Sequence, residues 1–335
     1  MAATFNQIMK DLKKGDYKPV YFLTGDEPYF IDKITEYIEK NALPESQKSF
    51  NQIILYGKDT NVRDIINTAK RFPMMSDRMV VIVKEAQNLK KIEDFAFYLD
   101  KPQPSTILVI NYKYKTLDKR KSFYKKLQKT AVYFESKKLY ENQIPKWIQE
   151  YLADKNYQID PVATQLLTEN LGTDLGKIAN ELDKLTVLLP AGTKITPEHI
   201  EENVGISKDY NNFELQKAIG YRDAEKAFRI VDYFAHNPKD NPFTVTLTSL
   251  YFYFVKVLKV HYSPQKDKQT LSKLLGVHPF FVSDYLTAAR NYPVAKLVDI
   301  IAFLREYDMK SKGVNNVSAQ GGELLKELIF KILYR

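Results

Sequence analysis

The first 140 residues alternate between short apolar runs and longer segments with helical periodicity. The short runs are rich in β-branched and aromatic residues and predict five strands, at residues 20–23, 52–56, 79–84, 106–111 and 131–135. The segments between them predict helices at residues 31–40, 62–71, 92–100 and 117–129. An apolar stripe at helical spacing runs along the second of these, through Val62, Ile65, Ile66 and Ala69. Near-continuous apolar strands joined by helices indicate a mostly parallel sheet that is covered on both faces.

After about residue 140 the strand pattern gives way to helical patterns. Asp160-Pro161 predicts a helix start, Gly172 a helix end, and Thr196-Pro197 a second start of the same kind. A polar stretch at residues 205–214 reads as a linker, and the rest of the chain is helical with breaks near residues 237, 263, 276 and 313. We therefore predict an α/β domain at 1–140, a small helical domain at 141–208 and a larger helical domain at 209–335. A sheet domain followed by a helical lid is the order of AAA+ modules, so the predicted fold class is α/β plus all-α, with an AAA+-like first domain.

Composition excludes several classes of protein. The chain of 335 residues contains no cysteine, so disulfides and thiolate metal sites are absent. The N-terminus is charged and lacks the apolar core of a signal peptide, and we expect a cytoplasmic protein without a membrane span. The most apolar helical segment, residues 245–260, is interrupted by Lys256 and Lys259 and is predicted to be a buried bundle helix. A net charge of +9, spread along the chain, weakly favours acidic or polyanionic partners.

Residues 19–33, PVYFLTGDEPYFIDK, form the strand–loop–helix setting of a phosphate-binding loop without its chemistry. The motif G-x-x-x-x-G-K-[ST] needs a second glycine, a lysine and a hydroxyl. Counted from Gly25, those three positions hold Phe30, Ile31 and Asp32. The strand at 79–84 is followed by Glu85 and ends in Lys84, where a magnesium-binding strand would end in Asp-Glu. These residues fit a P-loop-type domain that lacks a working nucleotide site, and they fit equally well an unrelated α/β domain with a short acidic turn at this place. In both cases we expect no cofactor.

A cluster of basic and aromatic residues lies at residues 113–129, with Asp118 as its acid. Such clusters can follow nucleic-acid phosphates and stack bases. The simpler interpretation is a solvated helix face on which Leu117, Tyr124 and Leu127 pack against the sheet, and we prefer it. A weak DNA contact stays open for the basic residues at the centre of the cluster, Lys119, Arg120, Lys121 and Lys125.

Catalytic and metal-binding patterns are not found in the sequence. The four histidines, His199, His236, His261 and His278, are widely spaced, and no two of them stand at i, i+4. No nucleophile–base set and no Gly-x-Ser-x-Gly motif occurs. We therefore expect neither a catalytic site nor a metal site.

An ordered set of motifs along the whole chain is similar to one family. The motifs are, in order along the chain, YFLTGDEPYFIDK, RFPMMSDRMVVIVKEAQNL, YKTLDKRKSFYKKL, LGTDLGKIANELDKL and EYDMKSKGV. They resemble the delta subunit of the bacterial DNA polymerase III holoenzyme, the clamp-loader component that opens the sliding clamp. The resemblance implies an AAA+-like first domain, a lid and a C-terminal collar. It also implies a subunit that binds no ATP and assembles with gamma or tau and delta prime subunits.

The resemblance places the contact with the beta sliding clamp on Met74 and Met75, flanked by Phe72 and Pro73. The family binds the clamp through a hydrophobic pair at the tip of a helix in the first domain, and some relatives have Leu-Phe where this chain has two methionines. The residues themselves leave a packing role open for this stretch, but Pro73 ends a helix and charged neighbours suggest exposure.

Three functions follow as hypotheses. The first is a non-catalytic clamp-loader subunit that opens the clamp for loading onto primed DNA, and that belongs to a DNA-directed DNA polymerase by complex membership only. The second is an active AAA+ ATPase with an atypical phosphate loop. The third is a basic helical DNA-binding protein.

Overall fold

The computed structural model describes residues 3–316 and 318–335. The chain divides into two compact units that meet in sequence at Leu139 and Tyr140. The further division of the second unit into a lid and a collar stays a prediction.

The first unit is built on a five-stranded parallel sheet. Its strands are β1 (Val20–Gly25), β2 (Gln52–Tyr56), β3 (Met79–Lys84), β4 (Thr106–Lys113) and β5 (Val132–Ser136). They lie in the order β2-β3-β4-β1-β5, and every paired neighbour is parallel. The five strands predicted from the apolar runs are all confirmed, with bounds that differ by at most two residues.

Helices cover both faces of this sheet. They are α1 (Phe5–Lys13), α2 (Pro28–Asn41), α3 (Glu45–Asn51), α4 (Val62–Ala69), α5 (Ala96–Leu99) and α6 (Ser122–Thr130). Alternate residues of β1 enter two separate cores, because successive side chains of a strand point to opposite faces. Val20 and Phe22 join the core under α4, α5 and α6, whereas Tyr21 and Leu23 join the core under α1 and α2.

Some local predictions for this unit were incomplete. The sequence patterns did not identify α1 and α3 as helices. Helix α6 begins at Ser122 rather than at residue 117, because the carboxylate of Asp118 accepts a hydrogen bond from Arg120 N (3.0 Å) and holds a turn there. Residues 92–100 begin as a 3₁₀ helix, Ile92–Phe95, before α5.

The second unit is mainly helical. Its helices are α7 (Ile144–Ala153), α8 (Pro161–Leu171), α9 (Leu175–Leu188), α10 (Pro197–Val204), α11 (Asn212–Gly220), α12 (Ala224–His236), α13 (Phe243–Tyr262), α14 (Lys268–Leu275), α15 (Val282–Asn291), α16 (Val294–Ser311) and α17 (Gly321–Tyr334). The predicted start of α8 is confirmed, since the Asp160 carboxylate accepts from Val162 N at 2.8 Å. The expectation that strands end after residue 140 was wrong, because β6 (Gln158–Ile159) and β7 (Lys194–Ile195) form a short parallel pair. Two-residue strands carry too little periodic pattern to be recognised in a sequence.

Helix α13 is the helix in the described part of the chain that is long and apolar enough to cross a membrane by length and composition. Its buried side chains belong to the core of the helical unit, as expected of a bundle helix. Phe254 is fully buried there, with its ring edge-on to Tyr292 at a centroid distance of 5.7 Å.

Replacing Phe254 with alanine is expected to lower the free energy of unfolding by about 3–5 kcal/mol, because it leaves a cavity in the core. Phe252 lies two residues away on the same helix and is exposed. Phe252→Ala is the matched control and should change stability by no more than about 0.5 kcal/mol. Urea denaturation followed by circular dichroism compares the two, and equal losses would contradict the position of α13 in the core.

Candidate functional site

The two candidate sites of the first unit lie at opposite edges of the parallel sheet, one at the carboxyl ends of its strands and the other at their amino ends. β1 and β3 both pair with β4 in parallel, so their carboxyl ends share one edge. The degenerate phosphate loop starts at Gly25, where β1 ends, whereas Met74 and Met75 precede the first residue of β3. A strand of six residues is about 20 Å long. The methionine pair and the phosphate-type loop are therefore separated by roughly the height of the sheet.

Gly25 is required by the neighbouring strand. Its φ is +119°, and a Cβ atom built on it would lie 1.9 Å from the carbonyl oxygen of Ser136 in β5. The next residue, Asp26, donates its backbone N–H to the same oxygen at 3.0 Å. Close packing of β1 and β5 therefore accounts for the glycine without any ligand.

The helix that follows this loop is capped by its own carboxylate. Glu27 is the N-cap of α2, and its Oε1 accepts from Tyr29 N at 3.0 Å. The side chain is buried, and Pro28 occupies the first helical position. A helix N-terminus attracts anions, and here that place is taken by a carboxylate of the chain itself.

The residues at the other phosphate-loop positions have structural roles. Phe30 packs on the ring of Phe5 in α1, with 4.8 Å between ring centroids, and Ile31 is fully buried in the core under α2. Asp32 forms an ion pair with Lys113 at the end of β4 (2.6 Å). The positions that would contact a nucleotide phosphate therefore hold a packed ring, a core residue and a paired acid.

The end of β3, where a magnesium-binding carboxylate would stand in a nucleotide site, is occupied by a residue that forms an ion pair. Lys84, at the end of β3, pairs with Glu39 of α2 at 3.2 Å. Glu85 has a left-handed backbone, with φ of +55°. The position where a magnesium-binding carboxylate would stand thus contributes a lysine that joins the sheet to α2.

At the opposite edge, residues 70–78 connect α4 to β3 and form what we call the methionine loop. Met75 is 99% exposed, Met74 62% and Phe72 79%, while Pro73 is partly buried. Helix α4 ends at Ala69, so the pair lies in the loop beyond the helix rather than on its last turn. Exposed apolar side chains placed side by side indicate a contact surface for another molecule.

Helix α3 holds this loop from the side. The amide of Asn51, the last residue of α3, makes two hydrogen bonds to the Met74 peptide groups, and the residue is 1% exposed. Gln47, one turn earlier on α3, accepts from the Ser76 hydroxyl. Sequence reasoning missed both residues, since only the pairing of β2 with β3 brings them beside the loop.

The basic cluster is largely a surface of ion pairs. Lys119 pairs with Glu135 (2.9 Å), Arg120 with Asp118 (2.9 Å) and Lys121 with Glu93 (2.8 Å), while Lys125 is exposed on α6. The hydrogen bond from Lys121 lowers the pKa of the Glu93 carboxyl.

The hydrophobic residues of this cluster pack as the simpler interpretation requires. Leu127 is buried, and Leu117 and Tyr124 pack against the same core. No group of three or more His, Asp and Glu side chains that could hold a metal occurs within residues 3–316 and 318–335.

Replacing Gly25 with alanine should destabilise the first unit strongly, since the added methyl must push β5 away and the backbone strain alone costs about 1–3 kcal/mol. Gly15 also has positive φ (+79°), but the space that an added methyl group would occupy there is open, with nothing within 4 Å. Gly15→Ala is the control and should lose about 1 kcal/mol. Urea denaturation measures both, and a Gly25→Ala loss no larger than the Gly15→Ala loss would contradict the close approach of Ser136.

Known proteins match this chain along most of its length. The family model for the DNA polymerase III delta subunit matches residues 21–137, and the model for the C-terminal domain of the same subunit matches residues 209–326. The DNA polymerase III subunit delta of Bacillus subtilis (strain 168) is 27% identical over 317 residues, which are 91% of this chain and 91% of that protein.

A solved structure gives the same fold. The clamp loader delta protein of Bacillus subtilis aligns with 99% of this chain and 100% of its own, with a TM-score of 0.56 and 24% identity. The predicted combination of a parallel-sheet α/β domain with a helical region after it is confirmed. Since the two family models together cover more than two thirds of the sequence, the chain belongs to the family of DNA polymerase III delta subunits.

Proposed function

We propose that this delta subunit binds a sliding clamp through the methionine loop and opens it without hydrolysing ATP. The observation that carries the proposal is Met75, whose side chain is 99% exposed next to a second exposed methionine. An apolar side chain held in solvent is unfavourable for a free protein and useful to one that inserts it into a partner.

The chemistry of the pair suits this role. A buried apolar anchor at an interface contributes roughly 2 kcal/mol or more. Methionine is unbranched and polarizable, so it adapts to an irregular apolar pocket better than a branched residue. Phe72, which is also exposed, extends the apolar surface, and Pro73 limits the conformations of the chain between them.

Opening the clamp requires only a difference in affinity. If the methionine loop fits the open interface better than the closed one, binding itself shifts the ring towards the open state. Neither a nucleotide nor a catalytic residue is needed in this subunit for that step.

The structural roles of the residues at the phosphate-loop positions support the proposal that ATP is hydrolysed by other subunits. Glu27 caps α2, Ile31 is in the core and Asp32 is paired, so nucleotide binding would require displacement of residues that stabilise the fold. The proposed assembly partners are the gamma or tau subunits and the delta prime subunit. We place the contacts with them on the C-terminal helices and the assembled complex in the cytoplasm.

Primer–template DNA is proposed to meet this subunit within the assembled complex. A direct contact through the basic cluster would have to open the ion pairs of Lys119, Arg120 and Lys121 first. Exposed ion pairs are weak, so they can be exchanged for phosphate contacts, but the exchange gives the isolated chain little affinity of its own.

Replacing Met74 and Met75 together with serine should weaken clamp binding by about 2–4 kcal/mol, because both apolar anchors are lost. Calorimetric titration with the sliding clamp of the same organism measures the change. The exposed neighbours Val187 and Leu188 at the end of α9 provide the control pair, and Val187→Ser/Leu188→Ser should leave the affinity unchanged. Equal affinities for the wild type and the methionine double variant would refute the assignment.

A titration of the purified chain with ATP and magnesium should give no saturable heat up to about 1 mM nucleotide, a concentration that corresponds to weak binding. The clamp titration on the same preparation serves as the positive control. Saturable ATP binding would favour the alternative of an ATPase with an atypical phosphate loop.

A further inference from the structure

We propose that Asn51 is a positioning residue that holds the methionine loop in its binding shape before the clamp arrives, with Gln47 as its second support. The idea rests on the proposed clamp-binding function and names the residues that prepare that site. Both residues lie on α3, outside the loop itself.

The first support is a two-point contact between a side-chain amide and the backbone. Asn51 Oδ1 accepts from Met74 N at 2.7 Å, and Asn51 Nδ2 donates to Met74 O at 2.9 Å. Nδ2 also donates to the carbonyl of Gln47 at 3.2 Å. Because the asparagine is buried, its hydrogen bonds do not compete with water and fix the Met74 backbone in place.

The second support lies on the other side of Met75. The Ser76 hydroxyl donates to Gln47 Oε1 at 2.7 Å. Gln47 and Asn51 are four residues apart on α3 and so lie on the same face of the helix. Met74 and Ser76, the residues before and after Met75, are therefore both hydrogen-bonded to α3.

Met75 has a backbone that needs such support. Its φ is +51°, in the left-handed region that non-glycine residues rarely adopt. Conformations of this kind persist where the surroundings determine them, and they cluster at functional sites. Here the turn leaves the Met75 side chain almost completely exposed.

Prior ordering of the loop would increase affinity without any contact between Asn51 and the clamp. A loop that is already in its bound shape loses less conformational freedom on binding. If only a fraction of molecules has the competent shape, the apparent dissociation constant rises by the inverse of that fraction. Loss of the support should therefore slow association more than it speeds dissociation.

The test is a double-mutant cycle between Asn51→Ala and Met75→Ala in the full chain, with clamp binding measured by surface plasmon resonance. Asn51→Ala should weaken binding about tenfold, mainly through the association rate. In the Met75→Ala background the same change should cost clearly less than tenfold, because only one of the two anchors, Met74, is left to position. Equal effects in both backgrounds would overturn the proposal, since a general loss of stability is not coupled to Met75.

Hydrogen exchange of the Met74 amide in the free subunit tests the support without the clamp. Asn51→Ala should speed this exchange about tenfold or more, while the amides of Val81 and Val83 in β3 keep their rates. Asn61→Ala is the matched control, because it removes the N-cap of α4 but no contact with the loop. Unchanged Met74 exchange in Asn51→Ala would overturn the proposal.

A second variant and a second measurement distinguish the possible causes of a negative result. If Asn51→Ala does not fold, Ser76→Ala removes the second support through a single hydroxyl and should show the same effects in smaller size; no effect would count against the proposal. If the methionine variants bind the clamp normally, the proposed function fails, and the exchange measurement still decides whether Asn51 orders the loop.

Discussion

The parallel pairing of β2 with β3 is the constraint on which the candidate site depends. Gln52, the first residue of β2, is in register with Val80 of β3. Helix α3 runs directly into β2, and the methionine loop runs directly into β3. The register places Asn51 next to the start of β3, and the methionine loop folds back there so that the Met74 backbone hydrogen-bonds to Asn51.

The same sheet is stabilised by the residues that stand at the phosphate-loop positions. Gly25 allows β5 to approach β1, Ile31 fills the core under α2, and Asp32 joins α2 to β4 through Lys113. These contacts stabilise the sheet that orders the opposite edge.

The strands and several helix ends could be predicted because their causes are local. β-branched runs mark the five strands, and Asp160 and Pro161 mark the start of α8. Helix α3 was missed because its seven residues include polar and aromatic side chains without an apolar stripe. The turn at Asp118 was missed for another reason, since one side-chain hydrogen bond there replaces the first turn of a predicted helix.

The sequence by itself determined the five strands of the first unit and the absence of the second glycine and the lysine of a phosphate loop, because each depends on neighbouring residues. It also marked Met74 and Met75 as an apolar pair between charged neighbours. Only the tertiary structure decided that Asn51 hydrogen-bonds to the backbone of Met74, 23 positions away, and that Met75 adopts a left-handed backbone conformation. Such contacts depend on strand register, which is set by the packing of the whole sheet and not by any local pattern.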